Sequence, residues 1–395
     1  MKFNSELLEI TNSDMPSFSL FEGGNIGKFT LAYETYGELN SNKDNAILLF
    51  HALTGSQHAA GTNSNGPGII DGDDINQRWN DEMYTGWWDG FIGSGKALDT
   101  DKFFIISINY IGSCYGSTGP ASYGEDGKRY GSRFPKITLS DIVDTQITLL
   151  EKLGIKKLHA SVGASLGGMM CLSLSTRYPD KVKNVIPIAA GINTTPLQRI
   201  LNLEQAFAIE SDPNFNKGDY YNSEAPDKGL AHARMIGHKT FVSLNELENR
   251  AQSGIINTSK SFSWYKPSSE IESYMLHQGE KFTERFDANS YLRLLDAWQK
   301  FDLVKESNAK NEFDAFENSL NQKYLIFSID SDVCYYPEQQ YELANILEKS
   351  KIEYVHITVH SKQGHDSFLL NIPDFLNTIK NFLNTSYNKL NEKRI

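Results

Sequence analysis

The stretch KKLHASVGASLGGMMCLSLSTRYPD, residues 156–180, joins a run of strand-forming residues to an amphipathic run that stops at Pro179. Between the two runs, residues 163–167 (GASLG) match the pattern G-x-S-x-G. In a tight turn from a strand into a helix, side chains flanking the serine would collide with both elements, so glycine is needed there. The pattern therefore predicts that Ser165 sits in a strained turn, with its hydroxyl clear of a sheet and at a helix N-terminus.

Strand and helix patterns alternate around this turn, which is typical of a mostly parallel sheet covered by helices on both faces. Seven strands are predicted, the first half-exposed and the next three buried, in this order: 29–39, 45–53, 103–110, 156–163, 182–190, 323–330 and 354–359. A helix should begin at Thr138, which forms a T-x-x-D start signal with Asp141, and should end at Gly154. The pattern predicts an α/β fold.

The alternation breaks between residues 192 and 322, where the sequence is polar and helix-like. We therefore predict an α/β core made of residues 1–191 and 323–395, with residues 192–322 inserted as a helical lid. A chain of 395 residues exceeds the usual size of one compact core, which agrees with such an insertion.

Composition narrows the possible functions. The net charge of −11 argues against a nucleic-acid or anionic-membrane surface. No apolar run is long enough to cross a bilayer, and residues 1–15 lack the regions of a signal peptide, so we expect a cytoplasmic protein. The three cysteines, Cys114, Cys171 and Cys334, are far apart without a CxxC, which favours a reducing compartment and no metal site.

A serine hydroxyl becomes a useful nucleophile only when a histidine held by a carboxylate takes its proton. In folds built around G-x-S-x-G the acid follows a late strand and the histidine precedes the last helix. His365 in SKQGHDSFLL has the right position for the base, and IDSDVCYYP supplies two possible acids. Asp332 lies further into the loop, where a carboxylate can reach a histidine, whereas Asp330 could cap a turn. Spacing favours Asp332 without excluding Asp330.

Acyl chemistry at Ser165 would also require backbone amides that stabilise an oxyanion. One donor in such folds is the amide of the residue after the nucleophile, here Leu166. The other comes from the loop after an early strand, and in LLFHALTG (48–55) we choose the amide of Leu53.

Several motifs, in order, resemble one enzyme family. They are HALTG…HAAG, GWWDGFIGSGKALDTDKFF, NYIGSCYGSTGPAS, GASLGGM, LAHARMIGH, RFDANSYL and QGHDSFL, and the match as a whole runs from about residue 29 to 384. Together they are similar to the homoserine O-acyltransferase family of methionine biosynthesis. The resemblance implies an α/β-hydrolase fold with an inserted helical lid, and transfer of an acyl group from acyl-CoA to L-homoserine through an acyl-serine. It also implies a homodimer that binds no cofactor.

The resemblance assigns roles residue by residue. The family's nucleophile, acid, base, substrate-binding arginine and substrate-binding aspartate fall on Ser165, Asp332, His365, Arg234 and Asp366. It thus selects Asp332 over Asp330. A guanidinium can clamp the amino acid carboxylate with two hydrogen bonds, and an aspartate can pair with the ammonium group.

The chain departs from the family pattern in two places. Residues 61–85 form a longer insertion than expected, and SDVCYYP replaces the usual SDxLFP. Family members that use succinyl-CoA tend to carry arginine two residues after the acid, where this chain has Cys334. A thiol offers no cation for the distal succinyl carboxylate, so we expect acetyl-CoA as co-substrate, unless a basic residue such as Arg78 substitutes.

Four alternatives stay open at this point. Within the family these are a homoserine O-succinyltransferase and a serine O-acyltransferase. Outside it they are a serine esterase and a non-catalytic binding protein on the same scaffold.

Overall fold

The computed structural model describes residues 3–11, 14, 19–66, 78–252, 262–319, 321–370 and 372–392. Its strands are β1 (Phe3–Ile10), β2 (Phe29–Tyr36), β3 (Ala46–Phe50), β4 (Ile92–Gly93), β5 (Leu98–Asp99), β6 (Phe104–Ile108), β7 (Leu158–Ala164), β8 (Val182–Ile188), β9 (Lys323–Ile329) and β10 (Glu353–Val359). Eight of them form one sheet in the order β1-β2-β6-β3-β7-β8-β9-β10, and β4 pairs with β5 separately.

The sheet is mostly parallel, as the alternation of patterns predicts. Strands β6, β3, β7, β8, β9 and β10 are neighbours across the sheet in this order, and each pairs with the next in parallel. Strand β2 runs antiparallel to β6, and β1 runs antiparallel to β2. Because parallel strands end at the same edge of a sheet, the loops after β3, β7, β9 and β10 converge there. The candidates Leu53, Ser165, Asp332 and His365 follow these four strands, whereas Arg234 lies on a helix between β8 and β9.

The helices cover both faces of the sheet. They are α1 (Leu139–Lys152), α2 (Leu166–Arg177), α3 (Pro196–Glu210), α4 (Asp227–Phe241), α5 (Leu244–Ala251), α6 (Glu270–Thr283), α7 (Ala288–Lys300), α8 (Leu303–Glu306), α9 (Glu312–Ala315), α10 (Pro337–Lys349) and α11 (Pro373–Glu392). The predicted start of α1 is confirmed, because Thr138 and Asp141 form a reciprocal capping box.

Two apolar cores lie on the two faces of the sheet. In β3, Leu48 and Phe50 belong to one core, while Ile47 and Leu49 belong to the other. Side chains of a strand alternate between faces, so a strand buried on both faces is apolar throughout, as this one is. The sheet edge that carries the candidate residues is therefore held rigidly from both sides.

Helices α3 to α9 lie between β8 and β9, in the segment where the strand pattern stops. The helices predicted around residues 195–210, 228–241 and 288–301 correspond to α3, α4 and α7. Within the described residues, no helix combines the length and apolarity needed to cross a membrane.

Candidate active site

Ser165 occupies the predicted turn between β7 and α2. Its backbone has φ 57° and ψ −125°, in the left-handed half of conformational space that non-glycine residues rarely adopt. The side chain is almost buried and lies beside a cleft at the carboxyl edge of the sheet. The turn thus fixes one hydroxyl at the N-terminus of α2.

The glycines around Ser165 are required by close backbone contacts. A Cβ at Gly163 would lie 2.4 Å from the carbonyl oxygen of Gly167, and a Cβ at Gly167 would lie 2.4 Å from that of Phe50. Both separations are far below van der Waals contact, so any side chain would force the strand and helix apart. This is the packing that the G-x-S-x-G pattern predicts.

Asp332 and His365 come together in the loops after β9 and β10. Nδ1 of His365 lies 2.6 Å from Oδ2 of Asp332, and both side chains are buried. Oδ1 of the same carboxylate accepts the backbone amides of Cys334 and Tyr335, each at 2.8 Å. Because one oxygen is held by the backbone, the other is fixed towards the imidazole.

Asp330, the competing acid, faces a different histidine. Its carboxylate accepts from His360 Nδ1 at 2.8 Å and from the amide of Ser361 at 3.0 Å. The His360 side chain is 81% exposed, so this pair lies at the surface. The structure brings Asp332, and not Asp330, to His365.

The other ring nitrogen of His365 is available for chemistry. Nε2 is buried and has no hydrogen-bond partner within the described part of the chain. His365 and Ser165 line the same cleft. The Tyr335 ring stacks on this imidazole, with centroids 5.2 Å apart and planes 18° apart, and so restricts the orientation of the His365 ring.

Tyr335 is a component of the site that the sequence analysis missed. Burial raises the pKa of its phenol well above the usual value, although a hydrogen bond with Ser165 opposes the shift. The hydroxyl also lies 3.4 Å from the sulfur of Met169. The phenol therefore stays neutral, and its place three residues after Asp332 is the only signal in the sequence.

The two candidate oxyanion donors come from the start of α2 and from the loop after β3. Leu166 is the first residue of α2, where backbone amides have no acceptor within the helix. Leu53 follows β3 and lines the cleft with Ala52 and Thr54. Arg285, to which the sequence analysis gave no role, stabilises this loop by donating to the Thr54 carbonyl at 3.1 Å.

Arg234 brings a positive charge into the cleft, which has a volume of about 490 Å³. Its guanidinium carbon lies 5.4 Å from the ring centre of Phe241 and 5.0 Å from that of Phe282. No hydrogen bond or ion pair joins this guanidinium to another described residue. Burial and the neighbouring Arg285 lower its pKa, and an anion bound here would oppose that shift by stabilising the charged guanidinium.

Asp366 brings a negative charge into the same cleft, next to His365 in the chain. Burial raises the pKa of its carboxyl, although His365 and Arg234 oppose the shift. Among the described residues, neither a hydrogen bond nor an ion pair reaches this carboxylate. The cleft therefore holds two opposite charges that are each without a direct partner.

The residues connected with acyl-donor choice are already engaged. Cys334 is buried; its amide donates to Asp332, and its carbonyl accepts from Gln198 at 2.7 Å. Arg78, in the insertion at residues 61–85, donates to the Phe286 carbonyl and lies 3.6 Å from Asp287. Residues 67–77 of that insertion fall outside the described residues.

All three cysteines are buried and free. Within the described ranges, no cluster of three or more histidine, cysteine, aspartate or glutamate side chains could hold a metal ion.

Comparisons with known proteins identify the fold and the family. A family model described as "alpha/beta hydrolase fold" matches residues 45–371. A homoserine O-acetyltransferase of Pelagibacter ubique is 42% identical over 90% of this chain and 91% of its own. One from Methanohalobium evestigatum is 43% identical over 89% of this chain and 68% of its own.

Solved structures of similar fold include an esterase. The crystal structure of esterase E22 superposes with a TM-score of 0.82 at 27% identity, covering 97% of this chain and all of the other. Sequence identity above 40% across most of two chains identifies a family, whereas the esterase shares the fold at lower identity. The chain belongs to the homoserine O-acetyltransferase family, within the α/β-hydrolase fold.

Proposed function

We propose that this protein transfers the acetyl group of acetyl-CoA to the hydroxyl of L-homoserine. One observation carries the proposal: His365, which is paired with Asp332, lines a single cleft together with Ser165 and two unpartnered opposite charges. A serine with its base can form an acyl-enzyme. The two charges match the two charged groups of an amino acid acceptor.

In the first half-reaction, Ser165 attacks the thioester carbonyl while His365 takes its proton through Nε2. The amides of Leu53 and Leu166 stabilise the tetrahedral oxyanion. The C–S bond then breaks, the CoA thiolate takes the proton from His365, and an ester on Ser165 remains. Asp332 keeps the imidazole in the correct tautomer and stabilises its charged form.

In the second half-reaction, homoserine enters the emptied cleft. Arg234 binds its carboxylate, and Asp366 binds its ammonium group, so the side-chain hydroxyl is directed to the acyl-serine. His365 deprotonates that hydroxyl, the new ester forms, and Ser165 recovers its proton. The Arg234 cation and the Asp366 anion, which line the same cleft, orient the acceptor, whereas water has no charged group for them to bind.

Replacing Arg234 by lysine should raise the KM for homoserine by at least about tenfold, because an ammonium cannot form the two parallel bonds of a guanidinium. Acylation of Ser165 by acetyl-CoA alone should survive. Steady-state kinetics with varied homoserine, together with the rate of acyl-enzyme formation, measure the two effects separately.

Loss of acylation in the Arg234→Lys variant would instead place Arg234 in donor binding or in the fold. Arg293→Lys on α7 is a matched control, because that arginine lies outside the cleft and donates to the carbonyl of Ser132. Its KM for homoserine should be unchanged.

We propose that helices α3 to α9 act as the lid over the sheet. The cleft combines residues of both parts: Arg234 and Phe241 come from α4, while Ser165 and His365 come from the sheet loops. Because water competes with homoserine for the acyl-serine, an enclosing lid favours transfer over hydrolysis.

The choice of acetyl-CoA rests on position 334, where the family resemblance leads us to expect an arginine in users of succinyl-CoA. Cys334 carries no charge, and Arg78 is already paired with Asp287. At equal concentrations, acetyl-CoA should give the higher initial rate. A preference for succinyl-CoA would overturn this choice, and Cys334→Arg is expected to shift the ratio towards succinyl-CoA.

A serine esterase is the second candidate, and the similarity to esterase E22 favours it. Following free CoA from acetyl-CoA, with and without homoserine, separates the candidates. A transferase releases CoA rapidly only when homoserine is present and forms O-acetylhomoserine. An esterase releases CoA at the same rate without it, and a non-catalytic protein releases none. Serine in place of homoserine tests the shorter acceptor.

We also propose that the enzyme works in the cytoplasm as a homodimer. An apolar stripe on α3 supports self-association: Leu197, Ile200, Leu203 and Phe207 recur at helical spacing and are 41% to 72% exposed. Light scattering of the pure protein tests the dimer.

A further inference from the structure

The loop after β3 contains a hydrogen bond between a histidine side chain and the carbonyl of the next residue. Nδ1 of His51 lies 2.7 Å from the oxygen of Ala52, and the histidine is fully buried. A carbonyl oxygen only accepts, so Nδ1 carries the proton. The same oxygen also accepts from the amide of Gly55 at 3.0 Å. The Ala52 carbonyl is therefore held between the imidazole and the Gly55 amide.

The imidazole of His51 is itself fixed in place. Its ring stacks on Tyr110, with centroids 3.6 Å apart and planes 18° apart, and the Tyr110 hydroxyl donates to the His51 carbonyl at 2.5 Å. A Cβ at Gly55 would lie 2.8 Å from Cβ and 3.1 Å from Nδ1 of His51, so only glycine lets the loop wrap this closely over the ring. Burial lowers the pKa of His51 to about 3, which keeps the ring neutral at neutral pH.

The fixed carbonyl determines where the neighbouring amide points. In a trans peptide the C=O and N–H bonds point in opposite directions, and the described residues contain no cis peptide. The Ala52 carbonyl points to the buried imidazole, while Ala52 and Leu53 line the cleft. The N–H of Leu53 therefore points away from the imidazole, to the cleft side of the loop.

We propose that His51 is a positioning residue for the oxyanion hole: its Nδ1–H fixes the peptide between Ala52 and Leu53 so that the Leu53 amide faces Ser165. The inference rests on the proposed acyl-serine chemistry and deepens it. If this peptide turned over, a carbonyl oxygen would replace the N–H and would repel the developing oxyanion. Loss of one oxyanion donor typically costs about 10²- to 10³-fold in rate.

A matched pair of variants tests the proposal. The side-chain nitrogen of asparagine can occupy the position of Nδ1, whereas that of glutamine reaches the position of Nε2. His51→Asn should therefore keep most of the acylation rate, and His51→Gln should lose about 10²-fold. The rate is measured as the burst of p-nitrophenol when p-nitrophenyl acetate acylates Ser165.

This ester contains neither CoA nor homoserine, so the test gives a result even if the proposed transferase reaction is wrong. Affinity for a trifluoromethyl ketone, which adds to the serine as an oxyanion, should fall in parallel with the burst rate. The thermal midpoints of the two variants should be similar. Equal burst rates in the two variants would refute a positioning role. So would burst rates that fall in proportion to the thermal midpoint, whatever the position of the side-chain nitrogen.

Gly55→Ala is an independent probe in which His51 itself is unchanged. The added methyl would displace the imidazole from the Ala52 carbonyl, so the burst rate and the ketone affinity should both fall. If the folded variant acylates at the wild-type rate, the imidazole is not what orients the peptide, and the proposal is wrong.

Discussion

The Ser165→Ala variant is expected to lose acyl transfer by about 10⁶-fold while it keeps its fold. The substitution removes only a hydroxyl from a side chain that is 8% exposed. The close contacts at Gly163 and Gly167 that shape the turn do not involve this hydroxyl. Any residual rate would come from binding and from the oxyanion donors alone, without a covalent intermediate.

Intact-protein mass spectrometry after rapid quench measures this effect directly. Acetyl-CoA without homoserine should leave one acetyl group on the wild-type protein and none on Ser165→Ala. Ser173→Ala on α2 is the matched control, since it also removes a buried hydroxyl in the same helix. It should acylate normally. An acetyl group on another residue of the wild type, or none at all, would contradict the covalent mechanism.

The parts of the fold that the sequence predicts are those with strong local patterns. The turn at Ser165 follows from steric needs of five consecutive residues, and the buried strands follow from continuous apolar runs. The start of α1 follows from Thr138 and Asp141, which satisfy each other's backbone amides. In each of these places, neighbouring residues in the chain determine the conformation, so no distant contact is needed to predict it.

The first strand was missed because its pattern is weak. Residues Phe3–Ile10 are mostly exposed or half-buried, and they form a strand by pairing along their whole length with Phe29–Tyr36. An edge strand of this kind is specified by its partner more than by its own composition. Local patterns do not contain that information.

The choice between Asp330 and Asp332 shows the same limit within the site. Both aspartates follow β9, two residues apart, and both pair with a histidine in the structure. Asp332 is buried and faces the loop that carries His365, whereas Asp330 lies at the surface and faces His360. Local spacing therefore favours one acid without deciding, and the family resemblance selects the acid that the structure places beside His365.

The missed residues Tyr335, Arg285 and His51 share a physical cause. Each contributes a hydrogen bond or a stacked ring to a residue that is remote in the chain or to the backbone, and the motifs that contain them assign them no role. Only the arrangement of the loops at the sheet edge reveals them.

The Asp332→Asn variant is expected to lose about 10⁴-fold in the rate of acylation. The physical reason lies in the two backbone amides of Cys334 and Tyr335, which donate to Oδ1. In asparagine only the oxygen can accept them, so the side-chain NH₂ must take the position of Oδ2 and face His365. Two donors cannot face each other, so the imidazole must present Nδ1 as an acceptor and carry its proton on Nε2. A protonated Nε2 cannot take the proton from Ser165.

The matched control is Asp330→Asn, which makes the same chemical change two residues earlier. Its carboxylate pairs with an exposed histidine, so the rate should stay close to that of the wild type. The two variants are compared by the rate of acyl-enzyme formation and by thermal midpoint, so that a folding defect is separated from a wrong tautomer. If Asp330→Asn were the slow variant and Asp332→Asn acylated normally, the acid would have to be reassigned. A large loss at Asp332 alone, with the fold intact, would mean that the backbone amides of this loop fix the proton on His365 Nδ1 and so leave Nε2 free to act as the base.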